Sequence, residues 1–416
     1  MTAEIAVLNK NAVALAADSA VTLGAGKKIF NTVNKLFALS KYYPVGIMVY
    51  GHAEFMGIPW ETLIKIFRGH LKAKKFDTVK DYGLEFLKFL KTKTVTSSIN
   101  ESDSVTGAVF AFFSAIQQKI RNVVEEKVKT ATLTESEIKA IVTEEINKAE
   151  AEFKKLPDTP DGVQKEFSKN FDSKYSAEIQ EIQKRVFEKL PISAASSATL
   201  VSISKMLFQK PRFHKGSSGV VFAGFGEAEI FPAIFGVRVQ SLVLNTLNYK
   251  IDVTEAIDTK NTAMINPFAQ AEVVKMFVEG ADRKLLSDAS KLFRKTLQGT
   301  LDTIYKNRPT QAKIVGQYVE KTMTAINKGI AEIQEENFIS PMLNIVASLP
   351  KNELAEMAES FISFTSFKRK MSEDLETVGG PIDVAVISKG DGFVWIKRKH
   401  YFQKDLNFQF FENYYS

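Results

Sequence analysis

The chain begins with short apolar runs separated by turn residues, a pattern that predicts β-strands. Ile5–Leu8 and Ala12–Ala17 are apolar without polar alternation, and an Asn-Lys-Asn turn lies between them. Runs of this kind are typical of strands that are covered on both faces. Two further strands are predicted over Lys35–Leu39 and Val45–Tyr50. The first 50 residues are therefore interpreted as a set of buried strands.

From about residue 53 to 210 the pattern changes to apolar positions spaced three and four residues apart, which predicts helices. Phe113, Ile116 and Ile120 belong to one such stripe. Thr134 and Glu137 have the spacing of a capping box that begins the next helix. A loop rich in proline and aspartate is predicted over residues 156–162.

Strand character returns at Gly219–Phe225 and Ile230–Val239, and a second helical tract is predicted from about Pro267 to Lys370. The chain closes with Ile382–Ile387 and Phe393–Arg398, joined by a glycine-containing turn that predicts a hairpin. Strands and helices thus occur in separate blocks. Such an order favours a layered α+β architecture over regular βαβ alternation.

Composition excludes several kinds of chemistry. The 416 residues include no cysteine and only four histidines, none paired at metal-ligand spacing, so neither a thiol nucleophile nor a zinc site is expected. The net charge of +7 is spread along helices beside glutamates, which is typical of solvated helix faces and not of a nucleic-acid surface. No apolar run is long enough for a membrane helix and no secretory signal is recognisable, so a cytoplasmic location is expected.

Several motifs at the two ends of the chain resemble proteasome β subunits and their simpler bacterial peptidase relatives. At the start, Thr2 precedes a short strand, Asp18 ends the second strand, and Lys35 follows in the stretch Val-Asn-Lys-Leu-Phe. Near the other end, Gly379–Ile387 with Asp391–Val394 resembles the closing hairpin of that family. The resemblance covers roughly residues 2–60, 218–280 and 377–400.

The resemblance implies a four-layer αββα N-terminal-nucleophile (Ntn) hydrolase sandwich, in which helices cover the outer faces of two antiparallel sheets. Residues 1–416 would form one such domain, enlarged by helical insertions at approximately 60–210 and 281–370.

The resemblance also implies a mechanism. Removal of Met1 would expose Thr2, whose hydroxyl attacks an amide carbonyl while its own α-amine accepts the proton. Lys35 would stabilise the alkoxide as a cation, and Asp18 would hold Lys35 in place. A backbone N–H at Met48 or Val49 is the expected oxyanion donor. This mechanism needs neither a metal nor an organic cofactor.

Some assignments stay open at this point. Lys28 is a rival for the active-site lysine, because its surroundings also resemble the family motif. The family's supporting serine has no counterpart in the expected loop around Met264. Of the polar groups before the closing hairpin, Asp374, Glu376 or Thr377 would substitute for the family's aspartate and serine.

Three functions are compatible with these features. The first is a threonine peptidase or amidase that acts by acyl transfer, the second a non-catalytic assembly subunit of the same fold, and the third an amidohydrolase of small molecules from the same superfamily. The family resemblance implies a ring-like or related homo-oligomer, with an ATPase unfoldase as a conceivable partner, and no nucleic acid or membrane. His52 is interpreted as structural, and the aromatic tail of residues 401–415 is expected to pack on its own core or on a neighbouring subunit.

Overall fold

The computed structural model describes residues 2–23, 28–213, 217–305, 312–372 and 378–415. Its strands are short, and most belong to two sheets. The strands are β1 (Ala3–Asn9), β2 (Val13–Ala17), β3 (Val21–Leu23), β4 (Lys28–Phe30), β5 (Leu36–Ala38), β6 (Val45–Gly51), β7 (Glu54–Phe55), β8 (Ile58–Pro59), β9 (Ser218–Gly224), β10 (Ala233–Val243), β11 (Thr246–Ala256), β12 (Ala263–Ala269), β13 (Asp383–Ser388) and β14 (Gly392–Lys397).

The helices occupy two long tracts between the strands. The first tract contains α1 (Trp60–Leu71), α2 (Val79–Leu90), α3 (Lys93–Thr96), α4 (Glu101–Val128), α5 (Glu135–Lys154), α6 (Phe167–Phe187) and α7 (Ala194–Gln209). The second contains α8 (Glu272–Glu279), α9 (Arg283–Ile304), α10 (Ala312–Gln334), α11 (Ser340–Ser348) and α12 (Lys351–Lys370), and α13 (Phe408–Tyr415) lies in the C-terminal tail.

Two five-stranded antiparallel sheets form the centre of the fold. The first has the order β12-β1-β2-β13-β14 and the second the order β11-β10-β9-β6-β5. The first sheet therefore joins the two ends of the chain, because β13 pairs with β2 along its length and Val386 lies opposite Ala14.

Buried apolar side chains fill the space between the two sheets. Leu8, Leu15 and Ile387 of the first sheet pack in one cluster with Met48 and Val221 of the second. Successive strand residues point to opposite faces, so Ile5 and Val7 belong instead to a cluster that contains helix residues from α11 and α12.

The outer face of the second sheet is covered by α1 and α2. Ile47 and Phe222 of that sheet share a cluster with Leu63 and Phe86 of the two helices. Helices α4 to α7 enclose a further cluster of their own, in which Phe113, Ile116 and Ile120 form the predicted stripe. The α+β class is thereby confirmed.

Most predicted elements are present, with boundaries shifted by a few residues. The capping box of α5 is confirmed, since Thr134 Oγ1 accepts a hydrogen bond from the Glu137 N–H and the Glu137 carboxylate accepts one from the Thr134 N–H. The closing hairpin is confirmed as β13 and β14. The strand β11, which pairs with β10 into a long ribbon, was not predicted.

The prediction that helix begins near Pro267 is wrong. Residues Ala263–Ala269 form the edge strand β12, in which Pro267 lies opposite Ile5, and helix begins only at Glu272. An edge strand tolerates proline because its outward side needs no N–H donor. Met264 consequently lies in a strand, where a loop had been expected.

Candidate active site

Asp18 lies just beyond the end of β2, and its carboxylate accepts four hydrogen bonds. Oδ1 accepts from the Ala3 N–H at 3.0 Å and from Lys35 Nζ at 2.6 Å. Oδ2 accepts from the N–H groups of Ala20 at 3.2 Å and Gly379 at 3.1 Å. The side chain is almost entirely buried. One carboxylate therefore connects the start of β1, the end of β2 and the segment that leads into the closing hairpin.

Lys35 is buried and ion-paired with Asp18. Its ammonium donates to Asp18 Oδ1 and, at 2.6 Å, to the Ala20 carbonyl. Burial lowers the pKa of Lys35 below its ordinary value, while the charge and hydrogen bond of Asp18 oppose that change. The predicted pairing of Asp18 with Lys35 is thus present in the structure.

Thr2 immediately precedes β1 and is 4% exposed. Its carbonyl accepts a hydrogen bond from the Gln270 N–H at 3.1 Å. The next peptide N–H, that of Ala3, is bound to the same Asp18 oxygen that receives the Lys35 ammonium. The backbone at Thr2 is therefore held on two sides, and it is joined to Lys35 through a single carboxylate oxygen.

Met48 and Val49 lie in β6, the strand between β5 and β9. The Val49 N–H donates to the Lys35 carbonyl at 2.9 Å, and Met48 lies opposite Leu36 on one side and Val221 on the other. The Val49 N–H is therefore already paired within the sheet. An oxyanion role for these two backbone groups stays a prediction.

The segment before β13 is bound to the end of β2. The Ser19 N–H donates to the Gly379 carbonyl at 3.1 Å, and the Ser19 hydroxyl donates to the Pro381 carbonyl. Gly380 has φ of 76°, a left-handed conformation that favours glycine, and an added Cβ there would lie 2.6 Å from the Asn31 carbonyl oxygen. The Gly-Gly-Pro motif thus allows the backbone before β13 to approach other backbone segments closely beside Asp18.

Four of the sequence-predicted candidates lie outside the described part of the site. Asp374, Glu376 and Thr377 fall in the segment 373–377, and the Lys28 side chain is likewise outside what the structure describes. His52 is exposed, and its Nδ1 lies 3.0 Å from the Glu54 carbonyl oxygen, as suits a structural role.

Two buried polar features beside this site were missed by the sequence analysis. Glu4, the second residue of β1, is 1% exposed, and a lone carboxylate directly before the apolar run Ile5–Leu8 was the available signal. Asp383 at the start of β13 forms a buried ion pair with Lys399, whose N–H also donates to Asp383 at 2.9 Å. No local pattern links those two residues to the N-terminus.

A groove of about 560 Å³ opens beside Asp18. Its walls are mainly apolar and come from the C-terminal half of α12 and the segment before β13, including Ile362, Phe364, Phe367 and Ile382. In the described ranges, no group of three or more acidic or histidine side chains is arranged to hold a metal ion. Nor does any helix within those ranges have the length and apolar character to cross a membrane.

Comparisons with known proteins give only distant similarity. No protein-family model matches the chain, and no curated protein does so. An Anbu Gly-1 mutant from Hyphomicrobium sp. strain MC1 aligns over 100% of this chain and 93% of its own, with 9% identity and a TM-score of 0.30. Anbu, described as an ancestral beta-subunit, from Yersinia bercovieri aligns over 99% and 94%, with 9% identity and a TM-score of 0.28.

The helical assembly of the Anbu complex from Pseudomonas aeruginosa aligns over 99% of this chain and 93% of its own, with 8% identity and a TM-score of 0.28. Superpositions this loose do not assign the chain to a family.

Proposed function

We propose that this chain is an Ntn hydrolase of the proteasome β-subunit type, in which Thr2 cleaves amide bonds after Met1 is removed. The observation that carries the proposal is the buried Asp18–Lys35 ion pair, whose shared oxygen also binds the Ala3 N–H next to Thr2. The facing sheets with helices outside them support the expected αββα sandwich, with the helical tracts at approximately 60–210 and 281–370 as insertions in one domain.

In the proposed reaction, hydrolysis of the Met1–Thr2 peptide bond first produces a free α-amine. That amine accepts the Thr2 hydroxyl proton as Oγ attacks the substrate carbonyl, and it later protonates the leaving amine. Water then attacks the ester intermediate and regenerates the hydroxyl. Lys35, held by Asp18, stabilises the developing negative charge on Oγ.

The proposed substrate is a polypeptide or another amide with an apolar side chain. The groove beside Asp18 presents Phe364 and Phe367, both largely exposed, and an apolar substrate group would cover them. We further propose homo-oligomerisation, because α9 has no buried side chain and exposes Leu285 at 65%. An ATPase partner and a cytoplasmic location stay predictions from the sequence.

The test combines intact mass with covalent labelling. Purified protein is expected to lack Met1 and to gain the mass of a threonine-directed peptide epoxyketone, while Thr2→Ala gains none. Thr134→Ala is the matched control, since it removes a threonine hydroxyl from an exposed helix cap far along the chain. Equal labelling of native protein and Thr2→Ala would overturn the assignment of Thr2.

The exposed apolar side chains of α9, which include Leu285, Leu292 and Phe293, also favour a second candidate, a non-catalytic assembly subunit. That function predicts retention of Met1, no adduct with peptide epoxyketones or boronates, and an assembly whose size is unchanged by Thr2→Ala. Intact mass before and after labelling therefore distinguishes the two functions, while sedimentation velocity measures the assembly that both of them predict.

A further inference from the structure

Glu4 is a buried carboxylate for which the proposed mechanism has no role. It lies in β1 between Ala3 and Ile5 and is 1% exposed. Among the residues that the structure describes, none forms a hydrogen bond with either of its carboxylate oxygens. Buried carboxylates are ordinarily hydrogen-bonded or ion-paired, so an unpartnered one calls for a physical explanation.

The alternation of side chains along β1 places Glu4 on the face that carries Ala6 and Leu8, toward the second sheet. Thr2 lies two residues before Glu4, so the same alternation places it on the same face. Ala17 on β2 and Phe268 on β12 are the cross-strand neighbours of Glu4, and neither has a charge. Glu4 therefore projects between the sheets at the end of the fold that holds Asp18 and Lys35.

The charged groups that act on Glu4 are few. Lys35, which precedes β5, and Asp18, at the end of β2, both interact electrostatically with its carboxyl. From β6 the Tyr50 phenol also interacts with Glu4, and Tyr50 itself is influenced by Arg238 and Asp252 of the β10–β11 ribbon.

On the β13 side, Lys399 is ion-paired with Asp383, and its charge also acts on Lys35. Of the charges that act on Glu4, that of Lys35 has the largest effect.

Burial is the main influence on Glu4 and raises the pKa of its carboxyl well above the ordinary value, with Lys35 opposing and Asp18 adding to the effect. The interaction is reciprocal, because Glu4 also raises the pKa of Lys35. An ionised carboxylate beside an ammonium favours the charged form of that ammonium.

We propose that Glu4 is a positioning residue for the Thr2 reaction, which keeps Lys35 in its ammonium form as the pH rises. In its ionised form Glu4 opposes loss of the lysine proton, because its negative charge favours the ammonium. Asp18 and the Ala20 carbonyl hold the ammonium by hydrogen bonds, and Glu4 adds a second negative charge without binding it. The catalytic consequence rests on the proposed hydrolase function, whereas the coupling of Glu4 to Lys35 does not.

The first experiment is the pH dependence of kcat/KM for a fluorogenic peptide. In Glu4→Gln, an isosteric neutral variant, the alkaline limb is expected to move to lower pH, with the plateau little changed. An opposite charge nearby shifts a pKa by about one unit at the lower end of its range. If the alkaline limb moves by about one pH unit, kcat/KM of the variant should be about fivefold lower than that of the native enzyme at the pH where the native value is half its maximum. Glu4→Asp, which keeps the charge, restores most of the native limb.

Ser241→Ala is the matched control, because Ser241 is buried and its hydroxyl has no partner among the described residues, but it lies in β10 of the other sheet. In Ser241→Ala, the alkaline limb of the kcat/KM profile should coincide with that of the native protein. A merely structural role for Glu4 would lower the amount of folded enzyme without moving the limb. An unmoved limb in Glu4→Gln, or one moved to higher pH, would therefore overturn the proposal.

The second experiment needs no activity. The ¹³Cε resonance of Lys35, assigned by its absence from Lys35→Arg, is titrated by NMR in native protein and in Glu4→Gln. The titration is expected at lower pH in the variant. If the protein has no hydrolase activity but the Lys35 titration moves to lower pH in Glu4→Gln, the coupling is upheld and only the proposed function is refuted. An unchanged Lys35 titration in Glu4→Gln would refute the coupling itself.

Discussion

The Asp18–Lys35 pair provides a prediction that depends only on the geometry of the site. Asp18→Asn preserves the shape of the side chain but removes its charge. Lys35 would then be a buried cation, 4% exposed, that keeps its hydrogen bond to the Ala20 carbonyl. The asparagine NH2 group would also replace one of the two acceptor oxygens, so it would face either the Ala20 and Gly379 N–H groups that bind Oδ2 or the Ala3 N–H that binds Oδ1.

Removing one partner of a buried ion pair costs about 3–5 kcal/mol, because the other charge stays buried without compensation. Asp18→Asn is expected to lower the free energy of unfolding by this amount. Replacing Lys35 by Met in the same chain removes the orphaned charge. The double variant Asp18→Asn/Lys35→Met should therefore recover at least about 2 kcal/mol relative to Asp18→Asn alone.

Urea denaturation followed by tryptophan fluorescence measures both quantities. The chain has two tryptophans: Trp60 belongs to the cluster under the second sheet, and Trp395 packs against the inter-sheet cluster. Glu227→Gln is the matched control, because Glu227 forms an exposed ion pair with Lys75 at 2.9 Å, whose loss is expected to change the stability little. If Asp18→Asn were no more destabilising than this control, the pair would not be buried as described.

Three further outcomes are expected, two from the same denaturation assay and one from amide hydrogen exchange. The raised pKa of Glu4 means that the folded state binds the carboxyl proton more tightly than the unfolded chain does, so the stability of the unmutated protein should fall as the pH rises above about 4.3. Relative to the unmutated protein, Glu4→Gln should therefore gain up to about 1.4 kcal/mol per pH unit, until the folded-state carboxyl ionises. A stability difference that does not depend on pH would contradict this. Thr159→Val should lower the free energy of unfolding by about 1–3 kcal/mol, since the buried Thr159 hydroxyl donates to the Leu247 carbonyl at 2.8 Å and accepts from the Tyr249 N–H at 3.2 Å. A smaller decrease than that of Glu227→Gln would show that the two hydrogen bonds are not made. Thr134→Ala should cost α5 about 1 kcal/mol through loss of its cap, visible as faster amide hydrogen exchange in the first turn of that helix, and unchanged exchange would argue against the cap.

Local sequence pattern was sufficient where an element is defined by its own residues. The run at Ile5–Leu8 and the hairpin around Gly392 are present as strands. Thr134 and Glu137 form the capping box at the start of a helix, as their spacing predicted. Each of these signals depends on side-chain periodicity or on a hydrogen bond between residues three apart. None of them requires a partner from elsewhere in the chain.

The pattern failed where a distant partner decides the conformation. β12 is a strand because β1 pairs with it, although Pro267 there favoured the end of a strand and the start of a helix. β11 is buried over its first four residues and mostly exposed beyond them, with no alternation to mark it as a strand, and its pairing with β10 defines it. Strand conformation depends on cross-strand contacts more than on intrinsic preference.

The candidate site divides in the same way. The sequence by itself determined that Thr2, Asp18 and Lys35 occur in order at strand ends, and that cysteine and paired histidines are absent. Only the tertiary structure decided that the Gly379 N–H reaches Asp18 across 361 positions of chain, and that Glu4 is buried within electrostatic range of Lys35. The physical reason is that a charge acts through space and is weakened by water, so its effect depends on which distant residues exclude the solvent around it.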